Sequence, residues 1–166
     1  MAERLVSMGI NSVQLNRKTD YALRALLFLA MQTGLSKIDE IAEKFSIARE
    51  HLTKITSQLA KLNYIIAIRG KGGGLKLNPK ILDISLARIA KHFEPTFKVI
   101  DCEQPACPLN GVCRLNQALD KASGAFLTVL EQYTLRDILP QSNDEKMIFA
   151  NRLGIKIVLD NNDRIN

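Results

Sequence analysis

The chain has 166 residues, enough for one well-buried domain or for a small domain with an oligomerisation element. Hydrophobic residues make up 46%, which argues against global disorder; Trp is absent and aromatics are few, so the core must be mostly Leu, Ile and Ala, a composition that favours helices. The net charge of +6 is uneven: residues 1–95 carry 15 Lys and Arg against 8 Asp and Glu, and residues 96–166 carry 8 against 9. A basic segment beside a near-neutral one suggests a polyanion-binding module joined to something else, with a merely solvated basic face as the alternative.

Residues 1–12 read as a leader without the apolar core of a signal peptide, and apolar runs such as Ala25–Met31 fall far short of the ~18 residues of a membrane span. The expected location is the cytoplasm, away from membranes. From Arg17 to Gln32 the pattern is helical, with Leu23, Leu26, Leu27 and Ala30 on one face and Gly34 as the stop. Ser36 and Asp39 predict the start of a second helix whose buried side is Ile38, Ile41, Ala42 and Phe45. After a turn at Ser46–Ile47, a third helix is predicted over 48–62. Leu52, Ile55, Leu59 and Leu62 form its core face, and His51, Lys54, Gln58 and Lys61 its free face. Two helices with a tight turn, the second basic, make a helix-turn-helix candidate, though helical hairpins are common.

The next segment favours the first reading. Tyr64–Ile68 and Leu75–Leu77 predict paired strands around a basic glycine-rich tip, Arg69-Gly70-Lys71-Gly72-Gly73-Gly74. That tip lacks the spacing of a nucleotide-binding loop. Helix-turn-helix followed by such a hairpin is the order of a winged helix. Asp83 or Ser85 predicts a further helix to about His92, closed by Pro95. A long helix follows over 114–132, with Leu115, Leu119, Ala122, Phe126 and Val129 recurring at four and three, as in a coiled-coil seam. This face predicts pairing with a twin helix, or packing within the chain. Thr134–Leu139 reads as a short closing helix. The fold class expected is mainly α with a small β-wing: a leader (1–12), a winged helix-turn-helix domain (13–95), a cysteine loop (96–113), a dimerisation helix with its closing helix (114–139) and a tail of unassigned role (140–166).

All three cysteines lie between 102 and 113, spaced Cys-x4-Cys-x5-Cys. An odd number without a secretion signal argues against a disulfide framework, and zinc sites usually use Cys-x2-Cys pairs. A loop with Pro105, Pro108 and Gly111 can instead wrap soft thiolates around an iron–sulfur cluster, leaving one position for another ligand. Three free thiols remain the alternative.

Taken together, the segments Leu15-x4-Asp20-Tyr21-Ala22-Leu23-Arg24-Ala25-Leu26, Ile68–Gly74, the cysteine triplet, Cys113-Arg114-Leu115-x-Gln117-Ala118-Leu119 and Tyr133-Thr134-Leu135 resemble the NsrR/IscR family of winged-helix iron–sulfur transcription regulators. The likeness covers about Val13–Leu139 and is greatest to the nitric-oxide-sensitive branch. It implies a homodimeric repressor on a palindromic double-stranded operator. It further implies a 4Fe-4S or 2Fe-2S cluster on Cys102, Cys107 and Cys113, with Asp20 of the partner protomer as a fourth ligand. A helix-opening acid favoured by the macrodipole is the plainer reading of Asp20. The histidine of the other branch is Asn116 here. Arg69, Lys71 and Lys54 are the expected phosphate contacts; Arg49 and His51, near the helix start, are the expected base readers, with Gln58 on the same face. No catalytic residue is expected. An iron- or cluster-status sensor of the same fold is the nearest alternative, and an iron–sulfur redox protein the alternative from another class.

Overall fold

The computed structural model describes residues 14–155, so the leader at 1–12 and the end of the tail, 156–166, lie outside the described residues. Helix α1 (Arg17–Ala30) is capped by Asn16, whose Oδ1 accepts from the Lys18 and Thr19 N–H groups at 2.8 and 3.0 Å. Its apolar face, Ala22, Ala25, Leu26 and Leu29, is the centre of the core. Helices α2 (Ile38–Phe45) and α3 (Arg49–Lys61) meet through a turn in which Ser46 takes the left-handed conformation (φ 52°). Strands β1 (Ile65–Ile68) and β2 (Gly74–Leu77) pair antiparallel, with Ile65 opposite Leu77 and Ile68 opposite Gly74. A 3-10 turn at Pro79–Ile81 leads to α4 (Leu86–Lys91), capped by Ser85. Then come α5 (Arg114–Glu131) and α6 (Asn143–Leu153). The winged-helix arrangement expected from the sequence is the one observed.

One core serves the first four helices and the wing: Phe28, Ile41, Leu52, Leu59, Tyr64, Ile65, Leu75, Ile89 and Phe93 pack together. Helix α5 differs in kind, since none of its side chains is buried and Leu115 and Val129 are 62% and 51% exposed. It lies against α4 and is tied by Ser123 Oγ, midway along it, donating to the Phe97 carbonyl, and by Lys91 approaching Glu131 at its C-terminal end at 3.9 Å. Among the described residues, no helix is long and apolar enough to cross a membrane.

Two local expectations are corrected. Ser36 does not cap α2, because its backbone exchanges two hydrogen bonds with Leu75 (2.9 and 2.8 Å) and so adds to the wing. Lys37 stands at the cap position instead, where its N–H donates to Glu40 Oε2. Thr134–Leu139 forms turns rather than a closing helix. Thr134 and Asp137 exchange the reciprocal bonds of a helix start, and Leu135 and Arg136 donate to Ile84 (3.1 Å) and Leu82 (2.8 Å), but Pro140 follows within six residues and has no N–H to carry a second turn. The tail at 140–166, in turn, contains α6, with Ser142 as N-cap and left-handed Gly154 (φ 58°) as C-cap.

A partly buried polar joint connects the end of the winged helix to its beginning. Glu94 accepts from the Asn16 N–H (2.8 Å), the Asn16 side-chain amide (2.9 Å) and the hydroxyl of fully buried Thr19 (2.6 Å). The carboxylate also faces the positive end of α1. Glu94→Ala strands these donors, and we expect it to lower the unfolding free energy by roughly 2–3 kcal/mol in denaturant titration. A loss below about 0.5 kcal/mol, the range of ordinary surface changes, would show that the joint contributes nothing.

Candidate nucleic-acid interface and cysteine loop

The third helix turns Leu52, Ile55, Thr56 and Leu59 inward, and that orientation exposes Arg49, His51 and Lys54 on its outer side. Arg49 opens the helix and its Nε donates to Asp39 Oδ1 of α2; both side chains are 66% exposed. The pair holds the guanidinium by one edge and leaves its terminal N–H groups for a bidentate contact. Gln58, expected on the free face, is occupied: its Nε2 donates to the His92 carbonyl at 2.8 Å, locking α3 to the end of α4. Beside that lock the Tyr64 hydroxyl lies 3.3 Å from His92 Nδ1, and burial pushes the Tyr64 phenol up.

The wing tip carries exposed Arg69 just before Gly70 (φ 94°) and exposed Lys71 between Gly70 and Gly72 (φ 83°), conformations that other residues rarely adopt. A Cβ on Gly73 would sit 2.2 Å from the Ile68 carbonyl oxygen, so only glycine closes the hairpin there. Lys37 braces the tip by donating from Nζ to the Gly73 carbonyl. Sequence reasoning did not single out Lys37, and it read Asp39 only as part of a helix start. Each acts on a residue distant in the chain, and no short-range pattern announces such a pair.

If Arg49 reads a base edge, Arg49→Ala should reduce the preference for a selected high-affinity site by about 1–3 kcal/mol. Lys71→Ala should instead weaken all duplexes alike and flatten the log–log salt slope by about one unit per protomer. Preference that survives Arg49→Ala unchanged would move the reading surface elsewhere.

Residues 92–113 carry the chain from α4 to α5 and hold the three cysteines, all half-buried free thiols. Asp101 Oδ1 accepts from the N–H groups of Glu103 (2.8 Å) and Gln104 (3.2 Å), which hold its carboxyl below the usual range. Lys98 pairs with Glu103 at 3.1 Å, and that partner raises it. The Cys107 N–H donates to the Cys102 carbonyl (3.0 Å), and Cys113 stands at the N-cap of α5, the helix end that favours negatively charged groups. Burial pushes the Cys102 thiol up, and the nearby Cys107, Cys113, Asp101 and Asp120 add to it. The loop thus brings the three sulfurs within electrostatic reach of one another. Asp20 is elsewhere in the protomer: it lies in the first turn of α1 and accepts from Arg24 Nε at 2.7 Å. Among the described residues, no three His, Cys, Asp or Glu side chains converge as for a single metal ion.

A basic helix presented by a helix-turn-helix, with a braced basic wing beside it, defines a winged-helix DNA-binding protein. The chain belongs to the Rrf2 family, described as "Iron-dependent Transcriptional regulator", which matches residues 15–141. It is 40% identical over 137 residues to the HTH-type transcriptional regulator NsrR of Halalkalibacterium halodurans and 38% identical over 137 residues to that of Bacillus subtilis. Each alignment covers 80% of this chain and 94% of the relative. Within the family it is therefore of the NsrR type, a transcription regulator and not an enzyme. In fold it is similar to CymR, the global cysteine regulator of B. subtilis (TM-score 0.62, 22% identity, covering 76% of this chain and 96% of that one). It is similar also to T. potens IscR (TM-score 0.57, 20% identity, covering 79% and 95%). Helix α6 lies beyond the region that matches the family.

Proposed function

We propose that the protein is a homodimeric, cytoplasmic repressor that binds a palindromic operator and is controlled by an iron–sulfur cluster sensing nitric oxide. The observation that carries this reading is the position of the cysteine loop. It is the only covalent path, among the described residues, between the winged helix and α5, so its shape can set how two reading heads are held. The exposed apolar side of α5 supports pairing with a twin helix, and Val99, Leu109 and Val112 in the loop are also exposed.

The donor set fits such a group. Three thiols that do not converge on a single-ion point, yet lie within electrostatic reach of one another, suit a polynuclear cluster, which is broader than one ion. Cys102, Cys107 and Cys113 would hold it, as 4Fe-4S or 2Fe-2S, and Asp20 of the partner subunit would complete the set after leaving Arg24. When bound, the cluster supplies iron open to a small ligand such as nitric oxide. The chain's own residues transmit the result: the loop departs from Glu94, whose carboxylate holds the start of α1. On DNA, Arg49 and His51 would face base edges, and Lys54, Arg69 and Lys71 the backbone.

The family's description favours a second reading of the same fold, in which iron supply is the signal. Iron and acid-labile sulfide analysis of protein purified without oxygen, with a duplex-binding assay beside it, tests the proposal. Iron, sulfide and DNA binding together are expected. Iron and sulfide without DNA binding would indicate a redox protein, and DNA binding without iron a metal-free thiol switch.

A further inference from the structure

Between the start of α1 and the outer side of α3 lies a cleft of about 400 Å³ lined by Arg17, Lys18, Tyr21, His51, Lys54 and Gln58. Three lysine and arginine side chains converge there. Among the described residues none of them has an acidic partner, although five other cations do. Gathering unpaired like charges is unfavourable unless an anion relieves it. Glu94 borders the adjoining cleft, but its oxygens are engaged by Asn16 and Thr19, and Asp20 in the first turn of α1 pairs with Arg24. The first N–H groups of α1 are also taken, by Asn16 Oδ1, so an anion here would be held by side chains rather than by the helix end.

The position of the cleft identifies the anion. A helix lying in a major groove has a phosphodiester strand on either flank. The wing strands border Lys37 and Asp39 of the α2 start and Arg49 of α3, while the Arg17–Lys18–Lys54 cleft lies between α3 and α1. We propose that this cleft seats a DNA backbone phosphate, held by Arg17, Lys18 and Lys54 with the Tyr21 hydroxyl as a further donor. The inference rests on the reading of α3 as the recognition helix. It extends the interface to α1 and assigns Lys54 to the backbone through a specific seat.

The test measures binding of the full chain to a mixed-sequence duplex and to a high-affinity site selected from random sequence, each across a salt series. The double variant Arg17→Ala/Lys18→Ala should lower the log–log slope by about one unit per protomer and weaken both duplexes equally, by about eightfold per lost phosphate contact near 0.1 M salt, and each single variant should produce part of that loss. Arg17→Lys, which keeps the charge, should restore most of the binding, and Arg152→Ala on α6 should change nothing. Slopes unchanged in the α1 variants, while Lys71→Ala still lowers the slope, would overturn the phosphate seat and leave the recognition helix standing. A loss confined to the selected site would also overturn it, because the cleft would then be reading bases. If Arg49→Ala and Lys71→Ala were both silent, the placement of α3 would fall, and the seat with it.

Discussion

Replacing any one of Cys102, Cys107 or Cys113 by Ala should remove iron and sulfide from protein purified without oxygen, while the winged helix melts as before. The two halves of this expectation have separate causes. All three thiols lie in a loop outside the buried core, so no packing is lost when one is shortened. A cluster held by three thiolates, by contrast, loses a third of its protein sulfur, and cluster retention depends on each bond. Iron retained in full by a cysteine variant, or stoichiometric zinc in colourless wild type, would contradict the assignment.

The second large effect concerns α5. Leu115 and Val129 are more than half exposed within the protomer, so a charge at either position has no intrachain cost to speak of. In a dimer built on this helix, Leu115→Glu and Val129→Glu would place two carboxylates in an apolar seam, where unpaired burial of charge is strongly unfavourable. The double variant should sediment as a monomer. Binding to a two-half-site operator should fall by about 10²–10⁴, the usual loss when two linked contacts become independent. A variant that stays dimeric would place the interface on another surface.

The winged helix was legible because its signals are local. The periodicity of Leu23, Leu26 and Leu27, the apolar side of α2 and α3, and the glycine run of the wing each mark an element within a few residues. What was misread depends on distant partners. Ser36 has the chemistry of a cap, but Leu75, far along the chain, claims its backbone. Thr134–Leu139 carries a helix-start pair in Thr134 and Asp137, but Leu135 and Arg136 tie the segment to Ile84 and Leu82 and Pro140 ends it. Helix α6 did carry readable end signals, Ser142 with Glu145 and then Gly154. They were obscured by the consecutive apolar run Met147-Ile148-Phe149, which has no helical period and leaves all three side chains partly exposed. At the reading surface, the exposed cations were found from the pattern alone. The Asp39–Arg49 and Lys37–Gly73 contacts, and the use of Gln58 as a structural lock, needed the tertiary arrangement. Asp20 was legible as a helix-opening acid, and the protomer gives it Arg24 as partner.

Central to the proposed function is that a change at the cysteine loop alters DNA binding. Operator affinity titrated with nitric oxide under anaerobic conditions, for wild type and Asp20→Ala, tests this most directly. For iron- and sulfide-loaded wild type we expect at least a tenfold loss of affinity, about 1.4 kcal/mol of coupling between the two sites. Asp20→Ala should keep a less stable cluster and respond less. An operator affinity unmoved by nitric oxide in wild-type protein that carries iron and sulfide would contradict nitric oxide sensing, and equal responses in the two proteins would remove Asp20 from the mechanism.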